Sequence, residues 1–315
     1  MALTEYKSTD ASSPTLNGTA GSFITVLDAI LVNGYGAKAA AGWAKEFSGT
    51  NKAVYRAATG NRHRLRIDDS NTQESRLVGY TGMTDVDTGT GPFPTAAQVS
   101  GGLFNRKSNT ADATARPWYC LADSTFFYFI SYTAQTIYGN TASTDSGMFF
   151  GDFPSFLTGD AFNTLLLASA TTGANTSRLG SSTLMPNGGG DINNTLGHYV
   201  ALPYTQAGSA IQVCKNARWP MGSNAGAVGD SGHDSTYPDP ISGGLLLAEI
   251  DIWETTSAGF SSRRGTMPSM YATLHNQAAV TEDTFSGTGS LIGTNFVLKT
   301  VYSGATAGRA AFEVP

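Results

Sequence analysis

The chain has 315 residues, of which only 14% are charged, against about 25% in an average soluble protein. Its surface must therefore be built largely from Gly, Ser, Thr and Asn. A net charge of -5 and the lack of any long basic run argue against binding nucleic acid through its phosphates. No apolar stretch approaches the ~18 residues of a membrane-spanning helix, so no membrane insertion is expected.

The first residues, MALTEYKSTDASSPT, lack the apolar core of a signal peptide, and none is expected. Residues 1–20 read as an extended arm with little to bury. Ser22 then opens the best helix candidate as its N-cap. Phe23, Val26, Leu27, Ile30 and Leu31 share one face, and Asn33-Gly34 stops the run. From Lys45 the period changes. Residues 51–58 and 62–68 read as a strand pair around Gly60-Asn61, with Leu65 and Ile67 inward and Arg64, Arg66 and Asp68 in water. Arg76 to Tyr80 is a further short strand. Residues 84–98, with Pro and Gly, read as a long surface loop. Asp85 and Asp87 within it lack the carboxylate spacing of a calcium loop and suit a solvated turn.

Residues 115–168 should form the centre of the core. Phe126 to Ile130 has no helical stripe, which suits a strand buried on both faces. Trp118, Cys120 and Ala122 alternate with Tyr119, Leu121 and Asp123 as in a half-buried partner strand. Beyond residue 171 apolar content falls, marking a loop or a joint, and 216–244 reads as another excursion. Strand signals return at 199–202, 210–214, 245–254, 270–275, 295–302 and 310–314. No internal repeat is present, which disfavours solenoids and propellers.

Strands spaced by about ten residues predict a mainly β fold, an antiparallel β-sandwich or jelly-roll-like body. It would carry one short N-terminal helix and long Gly/Ser/Asn-rich loops. The domain reading is an arm (1–20), a β-rich unit with the helix (21–170) and a second β-rich half (171–315), which either stands apart or shares the same domain.

Candidate chemistry is sparse. Cys120 and Cys214 read as buried free thiols. His63, His198, His233 and His275 have no ligand-spaced companions, so neither a metal nor a cofactor is expected. Gly229-Asp230-Ser231-Gly232 is similar to the nucleophile stretch of trypsin-like proteases, but the partner motifs for His and Asp are not apparent. Glu249 to Glu254, EIDIWE, resembles the strand signature of retaining glycosidases of the concanavalin-like jelly-roll clan. That resemblance implies Glu249 as nucleophile, Asp251 as helper and Glu254 as proton donor. On a regular strand, however, Glu254 faces away from the other two, and only a bulge would bring it back. The simpler reading sets Ile250 and Ile252 against the core with Glu249 and Asp251 in water.

Several longer segments carry a wider resemblance. They are LVNGYGAKAAAGW (31–43), NKAVYR (51–56), DVDTGTGPFPTAAQ (85–98), RKSNTADATARPW (106–118), FGDFPSFLTGDAFNTLLLA (150–168) and DTFSGTGSLIGTNF (283–296). In these the chain resembles a family of structural, otherwise uncharacterised virion proteins of tailed bacteriophages. The resemblance implies a non-enzymatic virion component assembled in the host cytoplasm, and no catalytic residues come with it. Its expected partners are copies of itself and other virion proteins. A tail position (tube end, baseplate or fibre) is favoured over head decoration, with a host surface glycan as a further partner under the glycan-active alternative. Tyr35, Trp43 and Trp219 are candidate interface anchors, set against simple packing roles.

Overall fold

The aromatic run that dominates the sequence forms strand β9, Phe126–Ser131, in the middle of a large antiparallel sheet. In the computed structural model the described residues are 2–134, 146–169, 196–202, 240–241, 243–255, 261–273, 282–300 and 309–315. The other strands of this first sheet are β1 (Thr4–Lys7), β2 (Ala44–Gly49), β3 (Lys52–Arg56), β4 (Arg64–Asp68), β5 (Glu74–Asp85) and β6 (Thr88–Phe93). They continue as β7 (Leu103–Arg106), β8 (Trp118–Ala122), β10 (Ser146–Asp152), β11 (Thr164–Ser169) and β12 (Leu196–Val200). Their order is β1-β8-β9-β10-β11-β7-β5-β4-β3-β2, with β12 paired to β11 and β6 to β5. A second sheet holds β13 (Leu247–Thr255), β14 (Ser261–Thr273), β15 (Thr284–Ser286), β16 (Asn295–Thr300) and β17 (Arg309–Val314), in the order β13-β14-β17-β16-β15. The fold is mainly β and sandwich-like, with one short helix, as the strand spacing predicts.

Period-two alternation assigns the central side chains to two cores. On one face Trp118, Cys120, Phe127, Phe129, Met148, Phe150 and Leu166 pack with the helix and with β3 and β4. On the other, Tyr119, Leu121, Tyr128, Ile130, Phe149 and Leu165 pack against Ile250, Ile252, Met267, Val297 and Phe312 of the second sheet. β9 is thus buried on both sides, as expected. β8 differs from its expected half-burial, because the second sheet covers Tyr119 and Leu121. The second core is shared by both sheets, and β12 joins the first one. Residue 171 therefore does not separate two independent cores. Free Cys120 is fully buried; Cys214 lies outside the described residues.

Helix α1, Ser22–Leu27, continues as a π-helical turn over Asp28–Asn33. Phe23, Val26, Leu27, Ile30 and Leu31 are all buried, and the Phe23 ring meets Phe129 edge-on at 4.9 Å. Gly21, not Ser22, holds the N-cap position, and no side chain caps from there. The acceptor is distant instead: Phe23 N–H donates to Asp69 Oδ2 at 2.9 Å. Asp69 also accepts from Ser75 Oγ at 2.7 Å and pairs with Lys107. Both charged side chains are wholly buried, and Lys107 Nζ donates in addition to the Thr19 carbonyl at 2.7 Å. Burial pushes the Asp69 carboxyl up and the Lys107 ammonium down, while their mutual attraction pulls each back.

The N-terminal stretch is less detached than its composition suggests, since β1 pairs with β8 and both Tyr6 and Leu16 are buried. The expected loop at 84–98 is largely the β5–β6 hairpin. Among the described residues β6 pairs with β5 alone, so Pro92 can sit in it without interrupting a central ladder. Asp87 at the turn pairs with Lys52 (2.9 Å) and Arg66 (2.5 Å), consistent with a solvated turn. In β4, Leu65 and Ile67 are buried while Arg64, Arg66 and Asp68 reach the surface, matching the expected one-sided pattern.

Asp69→Ala would remove the acceptor for Phe23 N–H and leave a buried ammonium without its counter-charge. A loss of about 3–5 kcal/mol is expected, measured by urea denaturation; a loss below about 1 kcal/mol would show that the pair is not a structural support.

Candidate functional site

The acidic strand is β13, and the two irregularities of its pairing decide its chemistry. Register runs Glu249↔Tyr271, then Asp251↔Thr266, and Ile252↔Gly265, then Trp253↔Arg263. The extra residues in both places belong to β14, so β13 itself takes no bulge. Ile250 and Ile252 are buried against the first sheet, with Glu249 and Asp251 on the opposite face. Glu249 is 62% exposed at its side chain. Glu254 pairs with Ser262 in the register, and its side chain lies outside the described residues. The structure therefore matches the simpler reading for Glu249, whereas Asp251, on the same face, is only 17% exposed at its side chain.

Arg263 occupies the space between the two outward acids. Its guanidinium lies 3.7 Å from Glu249 Oε2 and 2.5 Å from Asp251 Oδ1. The latter is an ion pair outside hydrogen-bond alignment, since no aligned donor reaches that oxygen. The same guanidinium stacks on the Phe156 ring at 4.5 Å. Retaining hydrolysis needs an acid held protonated in an apolar enclosure beside a nucleophilic carboxylate. Glu249 has solvent on one side and a guanidinium on the other, which is the opposite setting.

Two further polar groups escape sequence reasoning. His63 is buried between Phe93 and Phe162, with Nδ1 at 2.8 Å from Thr164 Oγ1. Thr164 in turn donates to Asp152 Oδ1 at 2.5 Å. The order is thus Asp, Thr, His, with the hydroxyl in the middle, and not the carboxylate–imidazole–hydroxyl order that activates a nucleophile. Lys299 is buried with its ammonium 3.5 Å above the Tyr119 ring and paired to Glu282. Burial, opposed by Glu282, lowers it to about 8. Such a lysine is chemically reactive in principle, but here its side chain is only 1% exposed. Only the three-dimensional packing brings these groups together, from positions too far apart to form a motif.

Among the described residues no group of three or more His, Cys, Asp or Glu is placed to hold a metal ion. No described helix is long and apolar enough to cross a membrane. Of the aromatic anchor candidates, Trp43 is buried and donates from Nε1 to the Asp123 carbonyl at 2.7 Å. Tyr35 packs on Tyr6 and Trp118 and donates to Asp10 at 2.9 Å. Both are packing residues in this structure, and Trp219 lies outside the described residues, as do His233, His275 and the Gly229–Gly232 stretch. No protein-family model matches the chain, and no curated protein matches it.

Burial, followed by the nearby Arg64 charge, lowers His63 from 6.5 to about 4. A depressed folded-state value stabilises the protein above pH 6.5, and that stability drains away as the pH falls from 6.5 towards 4. His63→Gln should therefore narrow the gap in melting temperature between neutral and mildly acidic buffer. An unchanged gap would show that His63 does not contribute to acid sensitivity.

Proposed function

We propose that this chain is a non-enzymatic structural component of a tailed bacteriophage virion, placed on the tail side and acting through contacts with its own copies and with neighbouring virion proteins. The observation that carries the non-enzymatic part is the setting of Glu249 and Asp251. Glu249 is exposed to solvent, Asp251 is largely covered beside it, and both share Arg263, while the strand's isoleucines serve the core. The virion assignment rests on the long segments at 31–43, 51–56, 85–98, 106–118, 150–168 and 283–296. A body with two large buried cores, a smaller third one on the second sheet and few charged residues suits a part that docks by shape and backbone hydrogen bonds. Among the described residues the Asp69–Lys107 and Asp152–Thr164–His63 clusters are buried and paired within the chain, as in a scaffold.

Two experiments test this reading. Imaging of the assembled particle with the chain labelled should place it on the tail; a protein absent from purified particles would overturn the assignment. In a reducing-sugar assay on host polysaccharide, wild type and Glu249→Gln should release equally little. Release by wild type that the substitution abolishes would replace the structural role with a glycosidase.

A further inference from the structure

Lys299, on β16, pairs its ammonium with the Glu282 carboxylate directly over the Tyr119 ring, and a group enclosed in this way needs no outside substrate to react. The acid is held in place by its own backbone. Glu282 N–H donates to the Leu298 carbonyl at 2.8 Å, and Leu298 N–H donates to the Asp283 carbonyl at 2.9 Å. These bonds tie the acid to the residue just before Lys299. Glu282 also holds φ at 78°, a left-handed conformation that strains a residue carrying a side chain. The other acid whose charge reaches the ammonium, Glu5, is already paired with Lys7 at 2.9 Å. The Tyr119 hydroxyl, a buried donor within electrostatic reach of Glu282, has no hydrogen-bond partner.

We propose that Lys299 and Glu282 form an intramolecular isopeptide bond, which closes once the two sheets have packed around them. The step balances within the chain. In an enclosure of low dielectric the ammonium passes its proton to the carboxylate, giving a neutral amine beside a neutral carboxylic acid. The amine Nζ attacks Glu282 Cδ, the Nζ–Cδ bond forms and the Cδ–OH bond breaks. The hydroxyl departs as water with one proton from the amine, so no oxidant or other reactant is consumed. Burial already lowers the Lys299 ammonium to about 8, which supplies free amine near neutral pH. Holding both groups in one cage makes the encounter intramolecular. The oxygen of the tetrahedral intermediate gives the orphaned Tyr119 hydroxyl an acceptor. The Glu282 side chain is 22% exposed, which leaves the released water a way out. The amide that results is uncharged, and the cost of enclosing an ion pair disappears with it.

This inference does not depend on the virion assignment. Intact-mass spectrometry of the full chain, denatured after incubation in mildly alkaline buffer, should read one water below the mass of the sequence. Lys299→Met keeps an apolar side chain of similar length in the same place and should read no such loss. Trypsin should fail to cleave after Lys299, and fragmentation should identify a branched peptide joining it to Glu282. Tyr119→Phe should lower the fraction of that peptide in freshly purified protein, with an unchanged circular dichroism spectrum. A wild type of full mass, cut after Lys299 as after any other lysine, would show an ion pair only and overturn the proposal. A loss of water that maps to other residues would overturn it equally.

Discussion

Burial of β8 to β11 on both faces is the constraint on which the rest of the structure depends. Strands covered on both sides have no solvent to satisfy a stray polar group, and an unmade hydrogen bond there costs about 1–3 kcal/mol. The side chains are accordingly aromatic or aliphatic over almost their whole length. One polar exception is tied inward: Tyr128 donates from its hydroxyl to the Pro268 carbonyl at 2.8 Å, joining the two sheets, whereas the buried Tyr119 hydroxyl is left without a partner. The same rule governs the first core, where Asp69 takes the helix amide, a serine hydroxyl and a lysine at once. At this buried pair several partners converge on each charge.

Much of this was legible from residue order because the signal was local. The unbroken run from Phe126 to Ile130 reads as doubly buried without reference to any neighbour. The alternation in 64–68 likewise reads as a one-sided strand, and the isoleucines of the acidic strand read as its inward face. What escaped depended on distant partners. Whether Tyr119 and Leu121 are wet or dry is set by β16 and β17, which lie far along the chain. The acceptor for the helix start comes from Asp69, so Ser22 was a reasonable but wrong choice of cap. Pro92 and two glycines made 84–98 resemble a loop, when pairing on one side alone lets such residues remain in a strand. The His63–Thr164–Asp152 chain had no motif to announce it.

The acidic strand shows how a short signature and its surroundings can point in different directions. The same Glu-x-Asp spacing serves catalysis when an enclosure raises one acid and exposes the other to substrate. Here, among the described residues, Glu249 faces solvent and Arg263 stands beside it. The extra residues needed to bend the sheet were placed in β14, which leaves β13 regular and its two described acids turned outward. What the strand presents on its outer face is a set of paired charges beside the Phe156 ring.

The central claim is that one block of four strands forms the wall between two cores and holds both sheets as one body. Native-state hydrogen exchange tests it most directly, because amides in the most stable unit open only with global unfolding. The account predicts that 118–122, 126–131, 148–152 and 164–169 exchange slowest, and that β14 and β17 share their protection. Fast exchange throughout the second sheet while the first stays protected would contradict it.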